Sequence, residues 1–193
     1  MAVLTERTIK HQGVTVHFVP TSKYKTNTLV WKMKAPLKEE TVTLRALLPN
    51  VLQSNTETFP TSTEFRNHLD GLYGASLFAD VGKKGEYHIM SFQMEMVNEK
   101  YLSHKEPLLE QAFGLLAEVL TKPNAKGGQF DSNTVAKEKR ALKQRLESIY
   151  DDKMRYSSLR LTQEMCEDEN YRLDANRIAD RIEEITPESL YAY

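Results

Sequence analysis

The chain has 193 residues, with 26 Lys and Arg against 27 Asp and Glu, a formal net charge of -1, 40% apolar residues and a single cysteine. That length suits one domain and can bury a real core, while the balanced charge leaves no electrostatic footprint for nucleic acid or an anionic membrane. Cys166 has no second cysteine for a disulfide or a Cys-based zinc cluster. Met1 to Arg7 form no apolar signal core and no stretch approaches the ~20 apolar residues of a membrane span. The expectation is a cytoplasmic globular protein.

In chain order, Val14, Val16 and Phe18 alternate with Thr15, His17 and Val19, and Asn27 to Met33 forms a second β-rich run. Gly13 and Thr21 to Lys25 read as turns, and Pro36 closes the second run because it cannot donate to a ladder. The period then changes. Leu44, Leu47, Leu48, Val51 and Leu52 fall on one helical face from Glu39 onward, with Pro49 inside it as a kink or early stop. Thr61 and Glu64 have capping-box spacing ahead of Phe65, Leu69, Leu72 and Tyr73, and Gly74 is placed as the stop.

Ala75 to Val81 and Tyr87 to Val97 read as paired strands joined around Gly82 to Gly85, with Met90, Phe92, Met94 and Met96 on one face. Pro107 can open a third helix whose stripe is Leu108, Ala112, Leu115, Leu116 and Val119. Pro123 to Gly128 is a loop. Asp131 or Ser132 then caps a long helix carrying Val135, Leu142, Leu146 and Ile149. Tyr156 to Met165 and Asp174 to Ile185 read as helical, and Thr186-Pro187-Glu188 starts a further helix that the end of the chain cuts short. Strands followed by helices in this order specify an α+β fold, a largely antiparallel sheet with helices packed on it.

The residues offer no catalytic constellation of their own. His11, His17, His68, His88 and His104 lack ligand spacing on any helix, and Cys166 lies among Glu164, Glu167, Asp168 and Glu169, which would raise a thiol pKa. Ser91 lacks a nucleophile elbow, and Gly82 to Gly85 and Gly127-Gly128 lack phosphate-loop patterns. Lys83, Lys84 and Lys137 to Arg140 read as solvated faces, and the methionines of the second paired strand as core filling.

The order of features nevertheless resembles a known family. A helix with Leu47-Leu48 at its middle precedes a Pro-containing turn and a short helix ending Leu72-Tyr73-Gly74. A strand pair, a helix, and a long helix opening Phe130-Asp131 and carrying Glu138-Lys139 follow. This is similar to the N-terminal domain of the pitrilysin/insulinase-type metallopeptidases, the inverzincins, which share their fold with mitochondrial processing peptidase. In active members a His-x-x-Glu-His helix supplies two zinc ligands and the base, and a Glu on the long helix supplies the third ligand, seven residues after another Glu.

Laid onto this chain, the resemblance puts Ala46-Leu47-Leu48-Pro49-Asn50 at the motif: Ala46 and Asn50 at the histidines and Pro49 at the base. Glu138 matches the upstream Glu, and Arg145 stands at the third ligand. The Gly-Gly-x-x-Asn-Ala-x-Thr segment, whose Asn helps hold peptide, reads Tyr73 to Asp80, with Leu77 at the Asn. Ala has no lone pair for a metal, Asn is a poor zinc ligand, and Arg145 sets a positive charge where Zn²⁺ would sit. The expected catalytic, cofactor-binding and metal residues are therefore none.

The resemblance implies one N-terminal peptidase-like domain, residues 1–193, of a longer multi-domain chain. It implies a non-catalytic subunit that pairs with an active relative and closes with it around unfolded peptide. By resemblance alone the chain looks most like the zinc-less type associated in Bacillus relatives with aminopentanol modification of elongation factor P. A stand-alone α+β protein- or peptide-binding module is the alternative reading of the same residues, and an enzyme with an unrecognised site is a third.

Overall fold

The computed structural model describes residues 5–104, 106–174 and 181–193. Its centre is a three-stranded antiparallel sheet of order β3-β5-β4, built from β3 (Thr26–Pro36), β4 (Ser76–Lys84) and β5 (Tyr87–Val97). Period-2 alternation gives this sheet one apolar face. Register pairs Leu29 with Met94, Trp31 with Phe92 and Met33 with Met90 on one side, and Leu77 with Met94 and Ala79 with Phe92 on the other. Phe92 and Met94 are fully buried, so the methionine series is core. The opposite face carries the row Val30, Gln93 and Phe78 and is open, with Phe78 59% exposed.

Two helices cover the apolar face. On α3 (Leu108–Thr121) the buried residues are Leu108, Ala112, Leu115, Leu116 and Val119, the stripe its spacing specifies. The other helix, α1 (Glu39–Leu52), is more deeply enclosed than one amphipathic face requires. Thr43, Arg45, Pro49 and Asn50 are buried with Val42, Ala46, Leu47 and Val51, while Leu44 and Leu48 are only partly buried. Pro49 does not break α1. It lies close enough to the end that its own carbonyl still accepts from the Gln53 N–H at 3.1 Å, and the helix runs on to Leu52.

Capping follows the sequence closely. Thr61 and Glu64 form a reciprocal capping box on α2 (Ser62–Gly71), whose Phe65 is buried. The chain leaves α2 through Tyr73 and Gly74, both at positive φ, so Tyr73 is exposed rather than on the core face. Its hydroxyl donates to Glu106 at 3.1 Å, which holds the phenol above its ordinary pKa. The β4–β5 turn is tighter than expected: Lys84 pairs with Tyr87, and Gly85 takes the positive φ.

The segment read as a loop at Pro123 to Gly128 contains a short ladder, β6 (Ala125–Lys126) with β7 (Gln129–Phe130), turning on Gly127 and Gly128. Asp131 is the N-cap of α4 (Ser132–Glu147), accepting the Thr134 N–H at 2.8 Å. A 3₁₀ turn over Ser148–Tyr150 leads into α5 (Lys153–Met165), and Thr186 caps α6 (Pro187–Ala192), which buries Leu190. The helical reading of Asp174 to Ile185 lies partly outside the described residues, and 181–185 contain no α-helix.

One element has no counterpart in the sequence reading. β1 (Arg7–His11) pairs with β2 (Val14–Phe18) in an exposed hairpin. Its register places Ile9, Val14, Val16 and Phe18 on one face, flanked by Arg7 and His11, and Thr8, Lys10, Thr15 and His17 on the other. A second solvent-facing apolar surface lies on α5, where Met154, Leu161 and Met165 recur at i, i+7 and i+11 and are 79%, 60% and 74% exposed.

Candidate functional site

The end of α1 is a polar hub. The Asn50 amide donates from Nδ2 to the Ala46 carbonyl at 2.9 Å, which fixes its side chain and turns Oδ1 outward. That oxygen accepts from Arg145 Nη1 of α4 and from Gln53 Nε2, each at 3.4 Å. Ser54 Oγ donates to Glu138 Oε1 at 2.9 Å, and Asn55 Nδ2 donates to Thr134 Oγ1 at 2.8 Å. Thr134, Glu138 and Arg145, spread over about three turns of α4, are thus tied to residues 50–55 at the end of α1. Gln53 reaches the other way, and its Oε1 accepts the Ala79 N–H of β4 at 2.7 Å.

Between α1 and α4 lies a cleft of about 480 Å³, lined by Asn50, Glu138, Ala141, Gln144, Arg145 and Ser148. The structure therefore brings Asn50 to Glu138 and Arg145, two residues of one helix far along the sequence from it. Glu138 and Arg145 face different partners: Glu138 meets Ser54 and, at 3.9 Å, Lys137, whereas Arg145 turns to Asn50. Ala46 and Pro49 are buried in α1. The cleft offers one carboxylate, one guanidinium and two primary amides, a set able to donate to and accept from polar groups. Among the described residues no group of three or more His, Cys, Asp or Glu is placed to hold a metal ion.

The remaining candidates lie elsewhere. His17 bonds Glu6 on the exposed hairpin, which holds the Glu6 carboxyl below its ordinary value. His68 stacks on Phe59 with ring centroids 4.4 Å apart, and His88 is buried on β5. Cys166 is the half-buried C-cap of α5.

Two lysines differ from the solvated faces read for them. Lys83 Nζ donates to the carbonyls of Tyr171 and Leu173 at 2.6 and 3.0 Å and lies over the Tyr171 ring, and its burial holds the amine below the ordinary lysine range. Lys139 Nζ donates to the Ile185 carbonyl at 3.0 Å. Sequence reasoning also missed Gln53, Ser54 and Asn55; the one available signal was a run of amides and a hydroxyl in the turn after a Pro-containing helix.

Antiparallel sheet, covering helices and a cleft between the first and fourth helices make up an α+β domain of the metallopeptidase-like type, its cleft lined by one carboxylate and no histidine. No family model matches the chain. It is 50% identical over 191 residues to the "Probable inactive metalloprotease YmfF" of Bacillus subtilis (strain 168), a match that covers 99% of this chain and 45% of that protein. The crystal structure of a conserved protein from Enterococcus faecalis V583 superposes with a TM-score of 0.91 at 35% identity, over 97% of this chain and 44% of that one. A peptidase M16 inactive domain from Pseudomonas fluorescens shares the fold, with a TM-score of 0.74 at 22% identity over 98% of this chain and 42% of that one. The chain spans less than half the length of each of these relatives. It is similar to a relative named a probable inactive metalloprotease, and it shares the fold of a peptidase M16 inactive domain.

Proposed function

We propose that this chain is the N-terminal domain of a longer, catalytically inactive zinc-peptidase-like subunit, cytoplasmic, that pairs with an active relative and supports the handling of peptides or proteins. The observation that carries this reading is the meeting of Arg145 and Asn50 across α4 and α1 at 3.4 Å, at positions the resemblance gives to two zinc ligands. A guanidinium there repels a dication, Ala46 offers no lone pair, and Pro49 supplies no carboxylate to activate water. A cleft of about 480 Å³ remains beside them, so binding surface is kept where the chemistry is lost. Pairing draws support from the apolar stripe of α5 and from the exposed Ile9, Val14, Val16 and Phe18 of the β1–β2 hairpin, since exposed apolar surface of this kind marks contact with another protein surface.

The test is co-expression of the full-length parent with a His-x-x-Glu-His relative. A stable complex at micromolar concentration, with peptidase activity that needs the relative's own Glu, is the expected result. Separate elution with retained peptide binding would replace this reading by the stand-alone module. Zinc-dependent hydrolysis by the parent alone would overturn both.

A further inference from the structure

Among the described residues β4 is an edge strand, hydrogen-bonded to β5 on one side only. In an antiparallel pair the N–H and C=O of one residue point to the same side, and that side alternates along the strand. The Ala79 N–H goes to Gln53 of α1 and not to Phe92 opposite it, so Leu77, Ala79 and Val81 present their main chain away from β5. An unpaired row of this kind is a template for an added strand. Along β4 it is not equally available. Lys83 ties the Tyr171 to Leu173 segment to the end of the strand, and Gln53 takes the N–H at its middle.

The Gln53 side chain imitates one peptide unit of an incoming strand. Its carbonyl accepts from Ala79, and its amide N–H is used by Asn50 Oδ1. The second bond is long, at 3.4 Å, and Asn50 Oδ1 keeps Arg145 as a donor when Gln53 leaves. Gln53 is half-buried, at the C-cap of α1, so its side chain has solvent to swing into.

We infer that Gln53 gates the β4 edge: with its amide on Ala79 an extended peptide cannot pair with the strand, and peptide addition requires the side chain to swing out. This rests on the reading of the domain as one that handles peptide, and it names the regulation of that site.

The probe is a fluorescein-labelled decapeptide of alternating Thr and Val with lysine ends, titrated by anisotropy into the full chain and into Gln53→Ala and Gln53→Glu. Gln53→Ala is expected to bind at least about fivefold tighter than wild type, because the competing side chain is gone. Gln53→Glu keeps an acceptor on Ala79 and is expected to stay near wild type. In the wild-type chain the Ala79 amide is expected to exchange with solvent roughly tenfold more slowly than that of Leu77, and that protection is lost in Gln53→Ala. Equal affinities of wild type and Gln53→Ala for a peptide that both bind, or equal exchange of Ala79 and Leu77 in wild type, overturns the gate and leaves the peptide reading standing. Absence of binding to every variant overturns the peptide reading itself, while the exchange measurement still reports whether Gln53 caps Ala79.

Discussion

Arg145 of α4 donates to Asn50 of α1 across 95 positions of sequence, at 3.4 Å, beside a cleft that contains one carboxylate. The bond is long and Arg145 itself is exposed, so it adds little stability. Arg145→Ala is expected to cost under about 1 kcal/mol. Asn50 differs, since it is 7% exposed and its amide orders Gln53 and Arg145. Asn50→Ala should cost about 1–3 kcal/mol by removing the three hydrogen bonds that its side chain makes from a buried position. Urea titrations of the two variants decide this, and a larger loss for Arg145→Ala would contradict the ranking.

The sheet face separates core from surface within single strands. Phe92 is fully buried between Trp31 and Ala79, whereas Phe78, next to Ala79 on β4, is 59% exposed. Phe92→Ala is expected to cost about 3–5 kcal/mol and Phe78→Ala within about 0.5 kcal/mol of nothing. Comparable losses at both positions would mean that the outer face is covered in the isolated chain.

Much of this was legible in the sequence, for reasons specific to each element. The α3 stripe and the buried series Met90, Phe92, Met94 and Met96 follow from helical and strand periods with one buried face each, and the Thr61–Glu64 box from local hydrogen bonding alone. Where elements pack on more than one side, pattern gave less. α1 touches both β4 and α4, so Arg45 and Asn50 are buried despite their polarity, and the apparent stripe through Leu44 and Leu48 is only partly buried. The β1–β2 hairpin was half seen because Arg7 to His11 is mainly polar and gains its strand character from pairing. Asn50, Glu138 and Arg145 could be brought together from sequence only through a family resemblance, and the Gln53–Ala79 contact could not be read at all, because it joins a helix end to a strand edge.

The α5 stripe offers a surface test of pairing. Leu161→Lys with Met165→Lys changes two side chains that are 60% and 74% exposed, and should leave the melting temperature of the isolated chain within about 2 °C. In the complex with the active relative, the same double variant is expected to weaken association by at least about tenfold. Unchanged affinity would remove α5 from the interface.

Lys83 provides a pH signature. Burial lowers its pKa in the folded chain against the opposing pull of Asp174, from an ordinary value of 10.5. In the alkaline range just below that value the unfolded chain binds more protons at this position than the folded chain does, so the Lys83 contribution to stability rises with pH there. The stability of wild type relative to Lys83→Met should therefore rise as pH approaches 10.5. A flat or falling relative stability would mean that the amine titrates as it does in water.

The central claim, that the α1–α4 cleft is a zinc-peptidase site without its ligands, is tested most directly by measuring zinc per chain after dialysis against buffered zinc, in wild type and in the triple variant Ala46→His, Asn50→His, Arg145→Glu, with circular dichroism recording that both are folded. Wild type should retain essentially none, and the folded triple variant about one zinc per chain, through two His and one Glu. One zinc per chain in wild type, or none in a folded triple variant, would contradict the account.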